Sequence, residues 1–241
     1  TFDSLIPEQE PSGYFTVLNI TEDDIMDEGG YPLSRQRLSE IQKQIINKGA
    51  IGVGWVVTFP NKGRISLNGD QAFADTLSQV PSILAMFENN KGIYPKTTGT
   101  VILGEDVGGI LATGVTQNIP ILANSANQGI AVARPEVDSL IRRLPLLLRT
   151  PDGWVPAYGT EVLKVLAGAD TYVIKTNDNG LEEIRVRGLP PVPVDSLGRK
   201  WISFVNTPHT NLKDMDVQDK FVFIGYTAKG IMPQLATPVG L

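Results

Sequence analysis

Cysteine is missing from this 241-residue chain, and histidine occurs once. Without thiols there is no disulfide framework, no thiolate metal site and no cysteine nucleophile. The lone imidazole, His209, cannot build a multi-histidine metal centre. A basic balance is also missing: 21 Lys and Arg face 26 Asp and Glu, a formal net charge of -5. A nucleic-acid partner is therefore not expected, because phosphates call for a basic face. Nor is there an apolar run near the ~18 residues that a membrane helix needs. The closest uncharged stretch, Ile110 to Ala133, carries Thr113, Gln117, Asn118 and Asn124 and is too polar for lipid. The chain as given is expected to be soluble. Thr1 to Glu10 has neither the basic start nor the apolar core of a signal peptide. The abrupt Pro238-Val239-Gly240-Leu241 ending suggests a domain excised from a longer protein.

What is present is enough for a packed core, since 41% of the chain is hydrophobic. Tyr14 to Ile20 is a strand by its aromatic and β-branched content. An acidic turn, Thr21 to Gly30, follows. Ser34 then reads as the N-cap of a helix with Leu38, Ile41, Ile45 and Ile46 at helical spacing and Gly49 just past its end. Ala50 to Phe59 is nearly all apolar, as in a strand covered on both faces. The opening is thus β-α-β, which implies a parallel pair.

Further on, Gly69 to Val80 reads as a helix and Ser82 to Phe87 as a buried strand. Lys91 to Gly109 has no clear period. A short helix is expected within Ile121 to Gln128 and a short strand at Ile130 to Ala133. Leu140 to Arg149 and Trp154-Val155 form two antiparallel arms around Thr150-Pro151-Asp152-Gly153. Tyr158 to Leu166 is a helix that stops at Gly168, and Asn177 to Gly180 turns a hairpin. Trp201 to Val205 and Phe221 to Gly225 are short strands, and Leu189 to Val194 is a connector. The pattern predicts one α/β domain over residues 1–241, with a mixed, largely parallel sheet flanked by helices and antiparallel hairpin additions.

Chemistry-bearing motifs are sparse. Gly225 to Gly230 has the glycine spacing of a phosphate loop, but Ile231-Met232 stand where Lys and Ser or Thr are required. Gly52-Val53-Gly54 lacks the third glycine of a dinucleotide fingerprint. There is no Gly-x-Ser-x-Gly elbow. His209 lies in a polar turn; candidate partners exist, but sequence does not place them, and a general base needs a placed partner. The acidic run Glu22, Asp23, Asp24, Asp27, Glu28 lacks the central glycine of a calcium loop and reads as a solvated turn. Arg35 is the exception. An Arg in the first turn of a helix opposes the dipole, which asks for an anion, a partner surface or a carboxylate such as Asp24. No metal or cofactor is expected.

Taken together, four stretches resemble a CHASE2 domain, an extracytoplasmic sensor module of bacterial membrane receptors. They are Val17 to Ile20 with Tyr31-Pro32-Leu33-Ser34-Arg35 and Leu38; Gly49-Ala50 with the strand through Phe59; Gly129 to Ala133 with Val137-Asp138, Ile141 to Leu147 and Trp154-Val155-Pro156; and Lys220 to Ala228 with Thr237-Pro238. The last, an Ile-Gly-x-Thr-Ala turn with Thr-Pro about ten residues on, is the most specific. The chain departs from the family pattern at Thr21 and Val56, where the family has Asp. The resemblance implies a domain on the periplasmic or extracellular face of the cell membrane, anchored by flanking helices. It also implies a cytoplasmic output such as a histidine kinase of a two-component system, an adenylate or diguanylate cyclase, or a serine/threonine kinase.

In open α/β sheets ligands sit beyond the carboxyl ends of the strands. The segments there would be Thr21 to Asp24, Thr58 to Asn61, Asn206-Thr207 and Tyr226 to Ala228, so Thr21, Asp24, Arg35, Thr58, Asn206 and Thr227 are the expected ligand-binding residues. The domain itself is expected to be a sensor for a small molecule or an envelope condition, without catalysis of its own. Two other readings stand beside it: an envelope hydrolase using His209, and a ligand-free dimerisation or structural module. A homodimer is a further expectation, with the uncharged Ile110 to Ala133 stretch as its surface; interior packing explains that stretch equally well.

Overall fold

A computed structural model describes residues 9–63, 68–228 and 235–238. Residues 1–8, and Lys229 to Met232 of the glycine-loop comparison, lie outside the described residues. The chain begins β1 (Phe15–Ile20), α1 (Glu22–Asp27), α2 (Arg35–Asn47), β2 (Gly52–Trp55), α3 (Gly69–Leu77) and β3 (Ser82–Ile93). It continues with β4 (Gly99–Leu103), β5 (Ile110–Leu111), β6 (Val115–Thr116), α4 (Pro120–Ala123) and β7 (Asn127–Ala131). Next come β8 (Arg143–Pro145), β9 (Leu147–Thr150), β10 (Gly153–Pro156), α5 (Tyr158–Leu166), β11 (Thr171–Asn177) and β12 (Gly180–Val186). It closes with β13 (Val192–Pro193), β14 (Arg199–Trp201), β15 (His209–Asn211) and β16 (Phe221–Tyr226).

The main sheet has seven strands in the order β15-β1-β16-β2-β3-β6, with β7 also on β3. Every pairing in it is parallel except β3 with β6. The expected β-α-β opening is present, but the last strand, β16, lies between its two strands. Period-2 alternation divides the sheet's residues between two cores. Leu18, Ile20, Val53, Trp55, Val222 and Ile224 face α2, α3 and α4 in the larger core. Phe15, Phe221, Phe223, Ile83 and Ala85 face the other way, toward Tyr158 and Val162 of α5. On that second face β2 carries glycine. A Cβ on Gly52 would stand 2.7 Å from the Phe221 ring, and one on Gly54 would stand 2.5 Å from the Tyr158 hydroxyl. The glycines of the apparent dinucleotide fingerprint are thus clearance for two aromatic rings.

Antiparallel additions lie beyond β7. β9 and β10 pair antiparallel around the expected turn, and β11 and β12 form the expected hairpin. Leu147 and Trp154 pack on Tyr172, Ile174, Leu181 and Ile184 there. Glu161 of α5 is 2% exposed and is answered by two groups. The Tyr172 hydroxyl donates to its Oε2 at 2.8 Å, and Lys164 Nζ lies 2.9 Å from its Oε1.

Several expectations need correction. The acidic turn holds a helix, α1, because Thr21 and Asp24 form a reciprocal capping box at its start. β2 ends at Trp55, short of Phe59, because side chains replace the ladder: the Thr58 hydroxyl donates to Ala85 O and Phe59 N donates to Asn118 Oδ1. Trp201 to Val205 is not a strand of that span; β14 is Arg199–Trp201 and pairs with β8. The strand that flanks β1 is β15 instead. Within Ile110 to Ala133, Val115, Leu122 and Ile130 are buried and Leu111 is exposed.

Candidate functional site

Arg35 opens α2 after Ser34, whose hydroxyl accepts from Arg37 N at 3.1 Å. Its carboxylate partner is Asp70, in the first turn of α3, and not Asp24. Arg35 Nε donates to Asp70 Oδ1 at 3.1 Å, and Nη2 donates to Asn61 O at 3.1 Å. The guanidinium carbon lies 4.3 Å from the Phe59 ring centroid, within cation–π range. Asp70 also accepts from Gly63 N at 3.0 Å. One carboxylate therefore ties two helix starts and the 59–63 loop together. Desolvation by burial lowers the Arg35 pKa from its ordinary value, partly offset by Asp70, and the group remains charged.

Arg35, Phe59, Asn61 and Gly63 line a cavity of ≈ 540 Å³ at the carboxyl ends of β16 and β2, where the sheet rule places ligands. Tyr31 and Tyr226 meet edge to face across it, with ring centroids 5.3 Å apart. Burial raises the Tyr226 pKa, with Tyr31 adding to the rise and Arg35 opposing it, so the phenol is a neutral hydrogen-bond donor. Among the described residues, Glu28, Arg37 and Lys62 supply the remaining charges of the lining. Arg37 Nε is 2.6 Å from Glu28 Oε1, and Arg35 has Asp70. Lys62 has no ion pair among the described residues. Among the described residues the cavity thus carries one uncompensated positive charge, on an exposed, adjustable side chain.

Of the expected residues, Arg35 and Thr58 line this cavity. Thr21 and Asp24 do not; each satisfies the other, with the Thr21 hydroxyl donating to Asp24 Oδ2 at 2.7 Å. Thr227 is exposed, and its N–H donates to Ile20 O at 3.0 Å to extend the β1 ladder. Asn206 is exposed and precedes β15, which runs parallel to β1, so it lies at the opposite, amino end of the sheet. The expectation that it sits with the others is corrected by that strand direction. Sequence reading missed Asp70 and Lys62. Lys62 stands one residue beyond the Thr58 to Asn61 segment, and Asp70 is visible only as an acid in a first helical turn.

His209 is exposed, and its Nδ1 is 2.9 Å from Asn19 Nδ2. Among the described residues no carboxylate bonds the ring, and no group of three or more potential ligands could hold a metal ion.

Across the sheet a second hollow, ≈ 1110 Å³, lies over the β1, β16 and β2 face beside α5. Val56 lines it, and among the described residues none of its lining is Asp, Glu, Lys, Arg or His.

The fold is a mixed α/β domain whose main sheet is largely parallel. The CHASE2 domain family model matches residues 1–240, and the chain belongs to the CHASE2 family. CHASE2 is an extracellular sensor domain family found in signalling receptors, and it is not catalytic. No curated protein and no solved structure matches the chain. Among the described residues no helix is long and apolar enough to cross a membrane.

Proposed function

We infer that this chain is the signal-input domain of a bacterial transmembrane receptor, held at the periplasmic or extracellular face by flanking membrane helices. Its ligand is a small molecule with an anionic group, received in the cavity between Arg35 and Lys62. The receptor's cytoplasmic part carries the catalytic output, of histidine kinase, nucleotide cyclase or serine/threonine kinase type. The observation that carries this reading is the position of an uncompensated cation in a cavity at the carboxyl ends of parallel strands. The volume, ≈ 540 Å³, falls in the range of small-molecule pockets.

A ligand acts by tilting a two-state balance, so it must contact an element that can shift. The 57–63 loop is such an element. It is held by side chains (Asn118 on Phe59, Asp70 on Gly63 and Arg35) and by the Ile119 N–H donated to Phe59 O, not by a strand ladder. An anion at the Arg35 guanidinium competes with Asp70 and changes that balance.

The test is calorimetric titration with ethyl phosphate and with acetate, on wild type, Lys62→Gln and Arg35→Lys. Saturable binding that weakens about tenfold in Lys62→Gln supports the reading, the size expected for loss of one charge-assisted contact. Absence of saturable binding by either anion at millimolar concentration overturns it.

A further inference from the structure

The polar cavity and the apolar hollow are not separate. Tyr31, Val57, Thr58, Pro60 and Tyr226 line both. The geometry points to one composite site for an anionic amphiphile: a phosphate or carboxylate head in the polar cavity, and an acyl chain laid along the apolar hollow. This rests on the proposed reading of the polar cavity and adds the chemistry of the rest of the ligand.

Three observations carry it. First, the hollow has no charged side chain among the described residues of its lining, and it opens onto the cavity that holds the unpaired Lys62. That sequence of an apolar trough ending in a positive charge matches a molecule with an apolar tail and a negative head. Second, the trough has a floor and a wall. Val17, Phe223, Val56 and Phe87 come from adjacent strands or strand ends, and Gly159 and Leu163 of α5 stand beside them. A concave trough between a helix and a sheet accepts a single chain, whereas a bilayer or a flat protein partner meets a projecting patch. The occupant is therefore a free amphiphile monomer. Third, α5 carries a glycine on this side. Nothing lies within 4 Å of where a Gly159 Cβ would stand. Glycine lowers helix stability relative to alanine, and its use here leaves the trough open.

The linkage also gives the signal a route. Tyr31, Val57, Thr58, Pro60 and Tyr226 form the bridge over which such a molecule would bend, and Val57 to Pro60 belong to the same loop that Asn118 and Asp70 hold.

The experiment compares dodecyl phosphate with ethyl phosphate, below the micellar concentration, by titration calorimetry on wild type, Gly159→Leu and Lys62→Gln. Gly159→Leu places a side chain in the trough at a position with open space, and thermal melts confirm that it folds. The expected result is dodecyl phosphate binding at least 100-fold tighter than ethyl phosphate in wild type. Gly159→Leu brings dodecyl phosphate down toward ethyl phosphate and leaves ethyl phosphate unchanged, while Lys62→Gln weakens both. Equal affinity of the two probes overturns the composite site and leaves the polar-cavity reading standing; no binding by either overturns both. Two further outcomes would also overturn the composite site. One is a wild-type dimer split by Gly159→Leu with dodecyl phosphate binding unaffected, which makes a second copy the occupant. The other is binding to phosphatidylglycerol vesicles that Gly159→Leu leaves intact while dodecyl phosphate fails to bind, which makes a membrane surface the partner.

Discussion

Tyr158→Phe should make the protein more stable. The Tyr158 side chain lies at the start of α5, pressed on the sheet, and its hydroxyl is buried without a hydrogen-bond partner among the described residues. It rests against the backbone of Gly54, 2.5 Å from where a Cβ would stand there. Burial raises its pKa well above the ordinary phenol value, so the group is neutral through the working pH range and the effect is the same at pH 7 and pH 9. An unpaired buried hydroxyl forfeits its hydration, at about 1–3 kcal/mol. Phenylalanine keeps the ring in place and removes that loss, less a small loss of dispersion contacts. The expected gain is about 1–2 kcal/mol, or a Tm rise of about 2–8 °C for a chain of this size. Urea denaturation followed by tryptophan fluorescence measures it. Coupling to Gly54 sharpens the test. Gly54→Ala drives a methyl into the hydroxyl and also to 2.9 Å from the Phe221 ring, so it destabilises in either background. The penalty should be smaller in the Tyr158→Phe background, since one of the two clashes is gone, and a double-mutant cycle reports the difference. A loss of more than about 1 kcal/mol in Tyr158→Phe would refute the reasoning, because it would mean that the hydroxyl has a partner.

Lys164→Met leaves the buried Glu161 carboxylate with the Tyr172 hydroxyl alone, and should cost about 3–5 kcal/mol by urea denaturation, the size of an uncompensated buried charge. Gln42→Met keeps the volume but orphans the Trp55 indole N–H, which donates to Gln42 Oε1 at 2.7 Å; a loss of about 1–3 kcal/mol is expected, with a shift in the Trp55 emission maximum. Gly159→Ala, with open space at the Cβ, should raise stability by about 1 kcal/mol in thermal melts, and a lowered Tm would show that the space is filled.

How legible these features were depended on the range of the interaction that makes each one. The β1-α2-β2 opening could be read because its determinants are local: Ser34 as cap, Leu38, Ile41 and Ile45 at helical spacing, Gly49 past the end. The α5 helix and the β11–β12 hairpin were legible for the same reason. β15 was not, because His209-Thr210-Asn211 has no apolar alternation. It is a strand only because it meets the free edge of β1, where Val17 N donates to Pro208 O at 2.9 Å. α1 was hidden by its charge, since six acidic-rich residues carry no apolar period and one capping box starts them. At the site, the sequence posed the right question about Arg35 and could not answer it. The misfit of a cation at a helix start is local, but Asp70 stands 35 residues away and is brought near by the packing of α3 on α2. Asn206 went to the wrong end of the sheet because a strand was expected before it and the strand that forms comes after it. The apolar trough had no sequence signature at all: Phe15, Phe221 and Phe223 look the same whether their face is covered fully or in part.

The placement of β16 between β1 and β2 has a mechanical side. The first and last strands of the sheet are neighbours, parallel, and in register from Phe15 opposite Phe221 to Ile20 opposite Tyr226. Tension drawn from the start of β1 against the end of β16 pulls the two strands along each other and not apart. The bonds of the ladder are then loaded together, in shear, where a hairpin pulled from its open end would yield one bond at a time. A pull between those two points is thus carried by the whole β1–β16 ladder, up to the strand end where Tyr226 stands beside the cavity of Arg35, without first unravelling the domain.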